Sequence, residues 1–72
     1  IEKVNSEISS FYVANDMINF KNVDNAWIYN VNGGIVKYLT NPSSVSITDL
    51  ANGVYIVRMQ NNNVIRSGKF IK

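Results

Sequence analysis

Cysteine and histidine are both absent from this 72-residue sequence. Without cysteine the chain has no disulfide framework, no thiolate metal site and no cysteine nucleophile. Without histidine it lacks the usual general base at neutral pH and the commonest zinc ligand. We therefore expect no catalytic site, no metal site and no cofactor.

Charge is also scarce. Charged residues make up 17% of the chain, and seven basic and five acidic residues leave a net charge of +2. The basic residues are scattered and form no stripe, which argues against a nucleic-acid partner. No run approaches the roughly 18 apolar residues of a membrane helix, and no signal peptide is visible at Ile1. Because the sequence begins without Met, we expect residues 1–72 to be one domain of a longer protein.

The five acidic residues are the remaining candidates for chemistry: Glu2, Glu7, Asp16, Asp24 and Asp49. A glycosidase needs two carboxylates facing each other across a cleft. Here each acid falls near a predicted strand end or turn, where Asp often caps the backbone. The pattern favours capping or solvated acids and no small-molecule substrate, with a calcium ion at Asp16 or Asp49 as an alternative.

Short runs rich in Val, Ile, Tyr and Phe alternate with clusters of Asn, Gly, Asp and Ser, which is typical of strands joined by turns. No window has a helical period. The predicted strands are residues 8–13, 17–21, 26–31, 35–40, 45–48, 54–60 and 64–71. Many short strands at close spacing favour an all-β antiparallel sandwich, and a small barrel is the alternative.

Several turns separate these strands. Asn32-Gly33 lies between two apolar runs, and this pair tolerates the positive φ angles of a type I′ hairpin turn. Residues 61–63 are three asparagines and predict a second turn. Pro42, the only proline, is expected to break the pairing between the fourth and fifth strands.

The stretch "DLANGVYIVRM", residues 49–59, has the most specific pattern in the chain. Tyr55 follows a turn and begins a strand, as in the tyrosine corner of Greek-key sandwiches, where the hydroxyl bonds an upstream backbone group. Gly53 is expected to supply a φ or a close approach that a Cβ would forbid. Leu50 is expected to plug the end of the core. Tyr55, Val57 and Met59 should share one strand face.

Two further features have two interpretations each. Trp27 and Tyr29 lie two apart and should share a sheet face; core packing is favoured, and an exposed surface that stacks on a glycan or a protein is the alternative. The ending "RSGKFIK" predicts an edge strand whose lysines discourage aggregation. The alternative is a terminal strand that a partner recognises.

Four segments together resemble a known family, the C-terminal sorting domains of proteins exported by the type IX secretion system. The segments are "ANDMINF" (14–20), "IYNVNGGIVK" (28–37), "ITDLANGVYIVRM" (47–59) and "GKFIK" (68–72). They occur in the family's order, and the last one ends at Lys72. Asn30 stands where Asp is common in the family.

The resemblance implies a seven-stranded antiparallel immunoglobulin-like β-sandwich with Greek-key connections, at the end of a longer cargo. It implies recognition by the outer-membrane translocon, removal by a sortase-like peptidase, and a cargo at the cell surface or in the medium. The domain itself would not be an enzyme. The alternative is an immunoglobulin-like binding or accessory module of a larger extracellular enzyme or adhesin.

The sorting motif carried over from the resemblance consists of Leu50, Gly53, Tyr55, Gly68, Lys69, Phe70, Ile71 and Lys72, with Asn32 and Gly33 as a structural turn. We expect residues 69–72 to be exposed to the export machinery. Exposed edge strands also predict that two copies can pair as a homodimer.

Overall fold

The computed structural model describes residues 8–72, and within that range the chain has seven strands and no helix. The strands are β1 (Ser10–Ala14), β2 (Met17–Lys21), β3 (Asn25–Tyr29), β4 (Ile35–Thr40), β5 (Ser44–Ser46), β6 (Val54–Asn61) and β7 (Val64–Ile71). Each overlaps its predicted counterpart, so the prediction of an all-β chain is confirmed. None of the described residues belongs to a helix that could cross a membrane.

The strands form two antiparallel sheets. One has the order β1-β2-β5 and the other the order β4-β3-β6-β7. The chain changes sheet between β2 and β3, between β4 and β5, and between β5 and β6. Pro42 lies in the second of these crossings, and β4 and β5 are not neighbours in either sheet, as its position predicts. The last two strands form the longest hairpin, paired from Val54↔Ile71 to Asn61↔Val64.

The core lies between the two sheets and follows the period of two along each strand. Tyr55, Val57 and Met59 of β6 are all buried, which confirms the predicted face. The buried core residues are Ile18, Val23, Ala26, Ile28, Ile47, Tyr55, Val57, Met59 and Phe70. Burying a large aliphatic or aromatic side chain contributes roughly 1.5–3 kcal/mol, so a core this small depends on each member.

The hairpin between β1 and β2 turns at Asn15 and Asp16, whose φ angles are 54° and 59°. Two consecutive positive φ angles in a two-residue loop define a type I′ turn, which matches the twist of the flanking strands. Asn and Asp tolerate this conformation better than other residues with a Cβ. The type I′ turn therefore lies in the "ANDMINF" segment.

The hairpin predicted at Asn32-Gly33 is present, but its turn type differs from the prediction. The Gly33 N–H donates to the Asn30 carbonyl at 3.0 Å, which makes Val31 and Asn32 the central residues, and of the pair Asn32-Gly33 only Gly33 has a positive φ, +85°. The reason is the Asn30 side chain: its Oδ1 accepts the N–H groups of Asn32 and Gly34, each at 3.0 Å. This local bonding stabilises a right-handed turn that ends in one left-handed residue.

Candidate functional site

The connection between β5 and β6, residues 47–53, is called the corner loop here. The Tyr55 hydroxyl donates to the Ala51 carbonyl at 2.6 Å, four residues upstream. Tyr55 is 6% exposed. The hydrogen bond predicted for a tyrosine corner is therefore confirmed, and it anchors the chain where it enters β6.

Gly53 ends the corner loop with a φ of +156°, and a Cβ placed on it would meet no atom within 4 Å. The glycine is therefore needed for its backbone angle and not for a close approach. Its backbone also pairs with the last residue of the sequence: the Gly53 N–H donates to the Lys72 carbonyl at 3.0 Å, and the Lys72 N–H donates to the Gly53 carbonyl at 2.8 Å. The segments 47–59 and 68–72 therefore meet at this pair of residues.

The Lys72 side chain closes the corner loop. Its Nζ donates to the carbonyls of Ile47 and Leu50, both at 2.6 Å. These carbonyls flank a turn in which the Leu50 N–H also donates to the Ile47 carbonyl at 3.1 Å. A charged donor shared by two carbonyls is a strong tie, since hydrogen bonds to charged groups contribute roughly 1.5–3 kcal/mol.

Phe70 lies between the sheets and is 8% exposed. Its ring stacks on Tyr55 at a centroid distance of 5.3 Å and meets the edge of Phe11 from β1 at 6.4 Å. Gly68 makes this packing possible, because a Cβ there would lie 2.8 Å from Cε1 of Phe11. Sequence reasoning missed the role of Phe11; a glycine inside a strand was the signal that another group approaches closely.

The predicted sorting motif therefore divides into two sets. Leu50, Gly53, Tyr55, Gly68, Phe70 and Lys72 converge on the corner loop and on the core beside it. Lys69 and Ile71 alternate with these residues along β7 and are exposed, Ile71 to 73%. The expectation that all of residues 69–72 are exposed is wrong for Phe70 and Lys72, because one completes the core and the other ties the loop.

The comparison with protein families gives one match, to the model described as the secretion system C-terminal sorting domain, over residues 5–72. The chain belongs to this family. It carries a type IX secretion C-terminal sorting signal. Neither the curated proteins nor the solved structures gave a match.

Membership fixes the general role of this sorting domain. A domain of this kind interacts with the type IX secretion machinery, and the protein that carries it is exported to the cell surface or secreted. The family is a secretion-signal family and not a catalytic one. It does not favour the alternative of a binding or accessory module.

The aromatic pair of this sorting domain lies on the outside of the four-stranded sheet. Ala26 and Ile28 of β3 face the core, whereas Trp27 and Tyr29 are half-buried on the opposite face. The prediction that these two rings fill the core is wrong. The three-stranded sheet packs on one side of β3, and no second layer covers the other side among residues 8–72.

Two acidic side chains of the sorting domain, those of Asp24 and Asp49, bond other parts of the chain. The Asp24 carboxylate accepts the N–H of Asn62, whose φ is 55°, at 2.9 Å, so Asp24 caps the β6–β7 turn as predicted. Asp49 accepts Lys37 Nζ at 3.0 Å, and this hydrogen bond lowers the pKa of the Asp49 carboxyl below its ordinary 3.8.

The calcium alternative has no support in residues 8–72. No group of three or more acidic side chains lies close enough to hold a metal ion there. Asp16 occupies the type I′ turn, and Asp49 pairs with Lys37. Glu2 and Glu7 lie outside the described residues.

Proposed function

We propose that residues 1–72 are a single domain at the end of a longer secreted protein, and that the outer-membrane translocon of the type IX system reads its folded surface. A sortase-like peptidase then removes the domain and the cargo is attached at the cell surface. The family match over residues 5–72 is the observation that carries this proposal.

The geometry of β7 supports recognition of a folded strand. The side chains of Phe70 and Lys72 are engaged by the core and by the corner loop. Lys69 and Ile71 are exposed beside them on an edge strand. An edge strand also offers unpaired backbone groups, so a partner can add a strand along β7 and read alternate side chains.

The immunoglobulin-like Greek-key assignment belongs to the same proposal. In immunoglobulin sandwiches the strands A, B and E share one sheet, and a C′ strand joins C, F and G in the other. The observed orders β1-β2-β5 and β4-β3-β6-β7 correspond to A-B-E and C′-C-F-G. The corner at the start of β6 then takes the E–F position of the immunoglobulin tyrosine corner.

Pairing of two copies along the same edge accounts for the expected homodimer. The edge of β7 spans the eight residues Val64–Ile71. Exposed edges of this length favour edge-to-edge association. Sedimentation of the chain over a range of concentrations tests it, and a monomer throughout would contradict the homodimer.

The test of the sorting function uses a fluorescent reporter fused ahead of the chain in a host that has the type IX system. Removing residues 69–72 is expected to leave the reporter in the periplasm. The double variant Lys69→Ala/Ile71→Ser is expected to do the same with the fold intact, because both side chains are exposed. Release of the reporter unchanged by the deletion would overturn the proposal.

The matched control is Lys21→Ala/Tyr12→Ser. It removes one lysine and one large exposed apolar side chain from the outer face of the other sheet. This variant is expected to be exported like the unmodified chain. Circular dichroism and a urea titration of each variant separate loss of recognition from loss of fold.

A further inference from the structure

The outward surface of the four-stranded sheet is called the outer face here, and its central residues are Trp27, Tyr29, Tyr38, Ile56, Arg58 and Lys69. It is largely aromatic and aliphatic, with Ile56 38% exposed and Tyr38 55% exposed. An antiparallel sheet with one solvated face normally places polar residues on it. The three-stranded sheet is closer to that rule: its outward residues Ser10, Asn19, Lys21, Ser44 and Ser46 are polar, and the others are Tyr12, Ala14 and Met17.

The centre of the outer face is a row of side chains across three strands. Trp27 is paired in register with Tyr38 on β4 and with Arg58 on β6. The rings of Trp27 and Tyr38 lie 5.4 Å apart, and the Arg58 guanidinium carbon is 5.9 Å from the centre of the Trp27 ring. The tilted ring pair and the guanidinium over the Trp27 ring restrict the motion of all three groups, so a partner would meet an ordered surface.

The charge of the outer face has one sign. Strands β3, β4, β6 and β7 contain no Asp or Glu, whereas Arg58 and Lys69 both lie on this face. The described acids are elsewhere: Asp16 and Asp24 lie in turns, and Asp49 lies in the corner loop. A cationic apolar surface that carries no carboxylate from residues 8–72 is complementary to an acidic apolar one.

We infer that the outer face binds an acidic, apolar segment of a protein of the secretion machinery. This inference rests on the proposed function and names the chemistry of the partner. Aromatic residues and Arg are enriched where protein partners bind, and tightly packed aromatic and Arg anchors supply most of the binding energy. A second copy of the chain is a poorer partner for this face, because Arg58 and Lys69 of the two copies would repel each other.

A glycan is a poorer match to this surface. The exposed aliphatic side chains Ile35, Ile56, Ile65 and Ile71 flank the aromatic row. Such side chains contribute by being removed from water, which a hydroxyl-covered sugar does less well than an apolar peptide. The surface therefore favours a protein over an anionic polysaccharide.

The binding test uses Trp27, the sole tryptophan of the chain, as its own reporter. The probe is a random copolymer of glutamate and tyrosine, added to the 72-residue chain while the tryptophan emission is followed. The emission is expected to change on binding, and Arg58→Glu is expected to weaken binding about tenfold or more, as for reversal of a central charge. Lys21→Glu makes the same charge change on the other sheet and is expected to bind like the unmodified chain.

Dextran sulfate and a lysine–tyrosine copolymer complete the binding test. Neither is expected to bind with comparable affinity. Equal binding of dextran sulfate would overturn the inference in favour of a polyanion or glycan site, and equal binding by Arg58→Glu would show that the outer face is not the surface used.

The export test uses the reporter fusion with the same two variants. Arg58→Glu is expected to retain the reporter in the periplasm, whereas Lys21→Glu is expected to release it; a urea titration verifies that both are folded. Normal export of Arg58→Glu beside retention after deletion of residues 69–72 would overturn the inference and leave the sorting function standing. Normal export after deletion of residues 69–72 would instead contradict the sorting function, and with it the partner named here.

Discussion

Two side-chain donor groups hold the corner loop in its conformation. One phenolic hydroxyl and one ammonium group together satisfy three backbone carbonyls, those of Ala51, Ile47 and Leu50. A loop has few hydrogen bonds of its own, and buried carbonyls left without a donor destabilise a fold. Tyr55 and Lys72 are therefore structural residues, whatever the machinery reads.

Removing the hydroxyl of Tyr55 tests the corner. Tyr55→Phe keeps the ring that stacks on Phe70 but leaves the Ala51 carbonyl without its donor. We expect the free energy of unfolding to fall by about 1 kcal/mol, and by up to about 3 kcal/mol if no water replaces the donor. Urea titration measures this change. Tyr38→Phe is the control, since its hydroxyl makes only an exposed 3.3 Å contact with Asn25; an equal loss in both variants would contradict the corner.

Removing the ammonium of Lys72 gives a second test. Lys72→Met keeps the length of the side chain and loses both carbonyl contacts. We expect a loss of roughly 1.5–3 kcal/mol in urea titration, the range for hydrogen bonds to charged groups. Lys69→Met, on the exposed face of the same strand, is expected to change stability by less than about 0.5 kcal/mol. An unchanged free energy of unfolding in Lys72→Met would show that the corner loop is stable without the Lys72 contacts.

Among the strands, β7 has two faces with different tasks. Gly68 and Phe70 pack against β1 of the opposite sheet, while Lys69 and Ile71 face outward. The period of two separates these tasks, so one short strand completes the core and presents a surface at the same time. A shift of one residue in register would exchange the two sets.

The close approach of Gly68 and Phe11 predicts a specific rescue. Gly68→Ala would place a Cβ 2.8 Å from the Phe11 ring, and we expect a loss of roughly 1–3 kcal/mol from overpacking. Phe11→Leu removes the clashing ring atoms, so the double variant is expected to lose less than the sum of the single variants. A double-mutant cycle in urea measures this coupling. Strict additivity would show that the two residues do not limit each other.

For the molecule as a whole, the scale of stability is small. A chain of this size buries only about 60% of the surface that its unfolded form exposes. Ties between distant segments therefore matter: Lys37 holds Asp49 across the gap between β4 and the corner loop, and Ser9 donates to the Asn22 carbonyl at 2.6 Å. A core this small supplies only a few kcal/mol of net stability, so even weak contacts of this kind form a measurable share of it.

The ion pair of Lys37 and Asp49 predicts how stability depends on pH. The Lys37 hydrogen bond lowers the pKa of Asp49 in the folded state, so this contribution is present above the unfolded pKa near 3.8 and is lost as the pH falls through the lower folded value. The urea midpoint is expected to fall in that acidic range. Lys37→Met is expected to remove this part of the dependence. If the urea midpoint of Lys37→Met falls at acidic pH as much as that of the unmodified chain, the fall is due to other carboxyl groups.

The sequence pattern predicted those features of the fold that depend on residues close together in the chain. Alternation of apolar residues located all seven strands, and the spacing of Gly53 and Tyr55 predicted the corner. The partners of Lys72 were not predictable, because the carbonyls of Ile47 and Leu50 lie 25 and 22 residues away along the chain. Trp27 was placed wrongly because both faces of β3 carry apolar side chains. The alternation pattern alone does not show which of the two faces the other sheet covers. The pair Asn32-Gly33 alone predicted a type I′ turn, but the hydrogen bonds of the Asn30 side chain stabilise a different turn there.

The contact between Phe11 and Phe70 also has a consequence for synthesis. These rings meet across the core, yet they lie 59 positions apart in the sequence. A nascent chain that has reached only the corner loop has neither Phe70 to complete the core nor Lys72 to close the loop. We therefore expect the domain to close only after residues 68–72 have left the ribosome, and we expect a product truncated before Gly68 not to acquire the native surface.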